Sequence, residues 1–335
     1  HRIIRGVVAK ELEKERNQAE VIEMIDSLGR WLYVDQNDAT QSRKDRLPYL
    51  PLAEGVVAAL SAKDMSHTDV IELQDNLATL LKYQGNFKRA RLYGQAALDG
   101  VADDDIIRAR LQSNLAIIEK NLGHYDVAAK LLEKALKADS KHFGEQHPNV
   151  QIGRSNLAVI FQDLKRLEEA AELLEKALDV DIRNFGEQHP SVQIRRSNLA
   201  LVYKDLNHLK PAAELLEKAL KAEIQHFGEQ HPTVQISRSN LAAVYRSLDY
   251  LEPAVELLEK ALKAGIEHFG EQHPSIATRK NNLAVNYYQQ GRYKEAEQLM
   301  AAAYSTNKEM LGKDHPRTQT SKEWLAIIRE KLDEE

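Results

Sequence analysis

The sequence predicts an all-α fold, a right-handed α-solenoid of tandem helix-turn-helix units, and three observations predict it. Ala, Leu, Glu and Lys dominate the composition and aromatic residues make up only 6%, which favours helix throughout. The hexapeptide Phe-Gly-Glu-Gln-His-Pro starts at Phe143, Phe185, Phe227 and Phe269, with a diverged copy at Leu311, each step being 42 residues. The triplet Asn-Leu-Ala recurs at the same step from Asn114, Asn156, Asn198, Asn240 and Asn282, and a further copy at Asn76 stands 38 residues before Asn114. A fixed period of this length marks stacked supersecondary units, so 335 residues do not translate into two or three globular domains.

In chain order, residues 1–62 do not repeat and are read as a helical junction to a preceding module. The chain opens on His1 rather than Met, and its first residues already read as helix, so a fragment of a longer protein is expected. The array proper is placed at 63–335, with hairpins beginning near Thr68, Asp105, Pro148, Pro190, Pro232 and Pro274. A capping helix over 316–332 closes it, where Trp324 replaces the repeating Asn.

Within one unit, Pro190 suits a first helical turn, where its missing N–H has no partner to lose. Leu199, Ala200 and Tyr203 form one apolar stripe at helical spacing. Asn207 stands where that helix should stop, and the equivalent Gly85, Gly123, Asp249 and Gly291 also tolerate a left-handed conformation. Lys165 is the exception and should carry a small local cost. The second helix buries Ala212, Leu216 and Ala219, and its outer face pairs Glu172 with Lys176, Glu214 with Lys218 and Glu256 with Lys260. Small residues at Ala200 and Ala219 allow close approach, and stacked neighbours complete the core.

Composition also excludes function classes. The net charge of −5, with both signs interleaved, points to no polyanion and no membrane surface. There is no cysteine, which fits a cytoplasmic chain, and no apolar run approaches the roughly 18 residues of a membrane span. Basic positions are not interleaved with aromatics, which argues against nucleic acid. His147, His189, His231, His273 and His315 fall one per junction; neighbouring helices lie roughly 8–10 Å apart, too far for those rings to converge on one ion. They are read as helix starts and junction packing. Glu145, Glu187, Glu229 and Glu271 are likewise spread by translation rather than paired about one bond, and no nucleophile with a positioned base is readable. No catalytic residue, metal or cofactor is expected.

The pattern Leu199-Ala200-Tyr203, then Ala212, Leu216 and Ala219, resembles the tetratricopeptide repeat. The 42-residue unit, with its Phe-Gly-x-x-His-Pro junction and Asn-Leu-Ala core, is similar to kinesin light chain and related bacterial repeat proteins, from Thr68 to Leu332. The chain departs from the family at Leu81 and Glu119, which replace an aromatic, and at Arg154, Arg196, Arg238 and Lys280, which replace an apolar residue. Residues 1–4, Trp31 and residues 47–53 resemble the junction that joins the winged-helix part of STAND-type (NB-ARC) NTPases to a tetratricopeptide sensor. That resemblance implies repeats that detect a ligand and trigger oligomerisation through domains outside this chain. No Gly-x-x-x-x-Gly-Lys-Ser/Thr loop occurs here, so the nucleotide module would lie upstream.

The family resemblance implies a concave groove lined by first helices. Carried over by position, the groove shows Asn114, Asn156, Asn198, Asn240 and Asn282, flanked by Ser155, Ser197 and Ser239, with Leu201, Lys204 and Arg246 on the adjoining turns. An Asn side chain donates and accepts at once, so a row of them could hold an extended peptide backbone; alternatively each bonds the neighbouring repeat and only orders the stack. Arg154, Arg196, Arg238 and Lys280 form a second row. Their heads could pair with an acidic ligand segment, or their stems could cover core edges. The chaperone-type two-carboxylate clamp is disfavoured, because Ser, Val and Leu stand where it needs Lys and Asn. The expected partner is a protein or extended peptide, bound by the sensing region of a STAND-type NTPase; the alternative is a kinesin light chain-like cargo adaptor.

Overall fold

The computed structural model describes residues 50–61, 68–102 and 107–334. The expected junction residues 1–4, Trp31 and residues 47–49 lie outside these, as does Asp105. Among the described residues there are fourteen helices and no strand. They fall into two compact units, His1–Arg166 and Leu167–Glu335.

The first unit holds α1 (Leu50–Ser61), α2 (Thr68–Tyr83), α3 (Phe87–Asp99), α4 (Ile107–Asn121), α5 (Tyr125–Phe143) and α6 (Pro148–Asp163). Each packs on its successor, and α2 also touches α4. The second unit holds α7 (Leu167–Phe185), α8 (Pro190–Asp205), α9 (Leu209–Phe227), α10 (Pro232–Ser247), α11 (Leu251–Phe269), α12 (Pro274–Gln289), α13 (Tyr293–Leu311) and α14 (Pro316–Asp333). Here too each helix packs on the next, and the first helices of successive hairpins, α8, α10, α12 and α14, touch in series.

The turn inside each hairpin needs one left-handed residue. Gly85, Gly123 and Gly291 have φ of 75°, 80° and 74°, while Lys165, Asn207 and Asp249 hold 62°, 61° and 63°. The residue after it closes a six-to-one bond, as in His208 N–H to Tyr203 O at 2.7 Å and Arg166 N–H to Phe161 O at 2.8 Å. This is the Schellman arrangement, which satisfies carbonyls the helix leaves open. Lys165 adopts the conformation its position demands although it is neither Gly nor Asn.

The junction between hairpins is the conserved hexapeptide in action. A glycine with φ between 78° and 89° ends each long second helix. The next histidine is then the N-cap: Nδ1 of His147, His189, His231, His273 and His315 accepts the backbone N–H two residues on, at 3.2–3.3 Å. Proline follows at the first helical position. The first four of these rings also stack on the phenylalanine that ends the previous helix, with centroids 4.5 Å apart for Phe143–His147 and 4.6 Å for Phe185–His189. The junction histidines are thus caps and packing elements.

The core is a seam of small residues and leucines. Ala200, Ala212, Ala242, Ala254, Ala284 and Ala296 have no exposed surface, and Leu216, Leu258 and Met300 fill the gaps between them. In α14, Leu325 and Ile328 cover Leu283 and Met300, while Trp324 meets Tyr288 edge to face at 5.9 Å. A tryptophan at the repeating Asn position therefore seals the end of the second unit's apolar seam.

Candidate functional site

The faces of the first helices carry the residues expected to bind. In the first unit, Asn114 donates to both carboxylate oxygens of Asp75 at 3.0 Å, so it ties α4 to α2. Asn156 is half-buried and, among the described residues, meets no hydrogen-bond partner; the same is true of Asn198 and Asn240 in the second unit. Asn282 is exposed. The Asn row therefore divides by position: Asn114 ties α4 to α2, whereas Asn156 in the first unit and Asn198 and Asn240 in the second keep donor and acceptor unpaired among the described residues. Ser155 and Ser197 hydroxyls are buried without a partner among the described residues, and Ser239 donates to its own helix at Gln235 O, 2.9 Å. Leu201 and Lys204 are half-buried beside them, with the Lys204 ammonium 3.6 Å from Asp205. Burial pulls the half-buried Arg246 guanidinium below its ordinary pKa, the sign of a cation without a close counter-charge.

The basic row has a different surrounding. Arg154 and Arg196 pair with Glu145 and Glu187 of their own junctions, Arg238 with Glu229 at 3.0 Å, and Lys280 with Glu271 at 3.5 Å. Arg238 Nη1 also donates to Glu229 O at 3.2 Å and to Gln235 Oε1 at 3.0 Å, while Gln235 Nε2 donates to Glu229 O at 2.5 Å. The same set recurs at Arg154–Gln151 and Arg196–Gln193. These heads latch the loop over the helix start, which is neither solvent exposure nor an open anion site. At this position the junction loop offers the basic head its acceptors.

Two pockets stand out. In the first unit α4, α5 and α6 enclose a cavity of about 440 Å³ lined by Arg110, Ser113, Asp139, Ile152, Gly153 and Asn156, among others. In the second, α11 and α13 flank a more apolar cavity of about 600 Å³ floored by Leu283 and Tyr287. Beside it Tyr287 donates to Glu259 at 2.6 Å, as Tyr203 does to Glu175 and Tyr245 to Glu217, both at 2.7 Å. Burial and the carboxylate acceptor push all three phenols up to about 12. Where the first unit has Glu119 instead, that carboxylate is buried and held by Arg91 at 2.7 Å and His124 at 2.6 Å.

Sequence reasoning passed over two sets of residues. Ile152, Ile194 and Ile236 recur at the same position of their first helices and stand 50–57% exposed. The column Gly153, Arg195, Ser237, Arg279, Ser321 is buried, although it varies while its neighbours repeat. Comparing columns between units, rather than reading each unit's stripe, would have found it.

Among the described residues no group of three His, Cys, Asp or Glu side chains is placed to hold a metal ion, and no helix is long and apolar enough to cross a membrane. Profiles described as tetratricopeptide repeat match residues 150–222, and further ones match 108–149, 235–275 and 276–317. No curated protein sequence matches the chain. Among solved structures, a Podosopora anserina protein described as having kinesin light chain nearly identical TPR-like repeats is 27% identical, with 61% of this chain and 97% of that chain covered and a TM-score of 0.55. BtubC from P. vanneervenii is 24% identical over 73% of this chain and 94% of that one, with a TM-score of 0.55. A STAND protein with a tetratricopeptide repeat sensor from Pyrococcus horikoshii is 15% identical, covers 92% of this chain and 43% of that chain, and has a TM-score of 0.61.

Proposed function

The chain belongs to the tetratricopeptide-repeat family, a protein-interaction fold and typically a non-catalytic scaffold, and from that premise we propose that its first-helix faces hold an extended peptide segment of a partner protein. The observation that carries this is the state of the Asn row. Asn156, Asn198 and Asn240 present amides with no partner among the described residues, and an amide left half-buried and unpaired gains by meeting a peptide bond. Arg246 adds a site for an acidic residue of the same segment.

Two settings suit such a groove. As the sensing region of a STAND-type NTPase, the array would pass partner binding to a nucleotide module elsewhere in the protein; the fold similarity to the Pyrococcus horikoshii sensor protein, over 92% of this chain, supports that setting. As a cargo or scaffold adaptor it would need no such module; the 27% identity to kinesin light chain-like repeats supports that one. A partner that changes nucleotide hydrolysis by the full-length protein selects the first. For the groove itself, peptides recovered from a randomised dodecapeptide display library serve as probes in fluorescence anisotropy. Changing Asn156, Asn198 and Asn240 together to Ala should weaken binding by about tenfold or more, since each lost amide pair contributes about 0.5–1.5 kcal/mol. Unchanged affinity with normal helicity and melting would refute the Asn-row reading.

A further inference from the structure

At each junction one residue late in the long helix faces one residue early in the next helix. The late column reads Asp139, Asp181, Glu223, Gly265, Asn307 and the early column Gly153, Arg195, Ser237, Arg279, Ser321. Four of the five pairs are closed. Arg195 Nε lies 3.2 Å from Asp181, Ser237 stands close enough to Glu223 to favour its charged form, and Asn307 Nδ2 donates to Ser321 at 3.1 Å. Opposite Arg279 stands Gly265, where a Cβ would come 2.6 Å from the guanidinium.

The pair of Asp139 and Gly153 is the open one. Gly153 supplies no side chain, and both residues line the 440 Å³ cavity, a volume within the roughly 300–1,000 Å³ of small-ligand sites. Asp139 is the one polar member of its column that keeps exposed surface. Among the described residues no donor reaches its carboxylate. His147 and His142 lie near enough to favour its charged form, but among the described residues neither is hydrogen-bonded to it. The other cation at the cavity, Arg110, is held by Asp75 at 2.5 Å and by Glu72 at 3.7 Å. The cavity therefore presents one carboxylate that no described side chain hydrogen-bonds, in a lining it shares with Ile152 and Phe143.

We propose that this cavity receives an arginine side chain of the bound peptide, its guanidinium on Asp139 in the position that Arg195 takes on Asp181. The inference rests on the groove reading above and names the residue chemistry the groove selects. The chain itself supplies the precedent: Arg fills the early column twice, and Arg279 lies 6.0 Å over Phe269, the counterpart of Phe143. A planar guanidinium can stack on the ring face while its edge pairs bidentately with the carboxylate, a geometry that a compact ammonium does not offer. The aliphatic stem would run along Ile152, and Asn156 beside it would take the adjoining peptide bond.

The test uses N-acetyl-arginine methylamide and its neutral isostere N-acetyl-citrulline methylamide, titrated against the chain with amide shifts at Ser113 and Gly153 as the readout. The arginine probe should shift both saturably, and the citrulline probe should bind about tenfold more weakly or less, as expected when a charge-assisted bond is lost. Asp139→Asn and Gly153→Arg should each abolish the response; Gly153→Ala, with the melting temperature of each variant checked, should keep it. Equal binding of the two probes, or an undiminished response in Asp139→Asn, overturns the proposal. Should display peptides bind through Asn156 without any arginine preference, this inference falls while the groove reading stands.

Discussion

Asp139 and Asp181 occupy the same position in successive repeats, yet their surroundings are opposite. Asp181 is 1% exposed and faces the Arg195 guanidinium; Asp139 keeps exposed surface and faces Gly153 across a cavity. One substitution in the opposing helix separates a closed junction from an open one. In a chain whose units are otherwise close copies, the contrast teaches where to look: translation sets the scaffold, and the columns that break translation set what each junction can do.

The strongest way to break this contrast is to delete the two carboxylates separately. Asp181→Ala leaves a buried guanidinium alone and should destabilise by about 3–5 kcal/mol, read by guanidinium chloride denaturation. Asp139→Ala should stay within about 0.5 kcal/mol, because its carboxylate supports nothing inside the chain. Comparable losses would mean the two junctions are not different in kind.

The glycines sharpen the same contrast at smaller scale. A Cβ on Gly265 would lie 2.6 Å from Arg279 Nη1 and 2.8 Å from Ile276 Cδ1, so Gly265→Ala should cost about 1–3 kcal/mol by overpacking, against the helix-propensity gain. On Gly153 the same Cβ meets Leu136 at 3.3 Å and then open space, so Gly153→Ala should be neutral or stabilise by up to about 1 kcal/mol. Thermal melts of the two variants should move in opposite directions.

Lys165→Gly tests the hairpin turns. A left-handed non-glycine residue costs about 1–2 kcal/mol, and glycine returns part of that through its looser unfolded state, leaving a gain of about 0.5–1 kcal/mol. The already-glycine turn at Gly123 offers no such gain, and a lower melting temperature for Lys165→Gly would contradict the turn assignment.

The smallest effect separates the units by pH. Tyr203, Tyr245 and Tyr287 have folded pKa values raised from 10 to about 12. A raised value means the stabilisation is fully present below pH 10 and is lost as pH rises through 12. Tyrosinate absorbance should show the second unit's three phenols titrating near 12, and replacing each by Phe should remove one of them. Leu81, Glu119 and Phe161 hold the matching positions of the first unit, so it has no counterpart of these three, and its own raised phenol, Tyr93, owes its shift to burial and to Glu54.

Much of the fold was legible because its determinants are local and periodic. Pro after His gave the starts of α6, α8, α10, α12 and α14, and the turn column of Gly, Asn and Asp anticipated the left-handed residues down to the strained Lys165. The Asn row was legible as a position, but its chemistry was not. That Asn114 bonds Asp75 while Asn156 bonds nothing among the described residues depends on a carboxylate one hairpin back, which no stripe pattern reveals. The basic row was harder still: Arg238 reads either as a ligand-facing cation or as a stem over a core edge until the loop carbonyl of Glu229 is folded over it. The open junction went unread because a glycine inside a helix says nothing until the residue facing it is known.

The most direct test of the central claim is a crystal structure of the chain with a display-selected peptide bound. The peptide should lie extended along α4 and α6 with a main-chain amide on Asn156. A peptide seated instead in the apolar cavity between α11 and α13, leaving the Asn side chains untouched, would contradict the account.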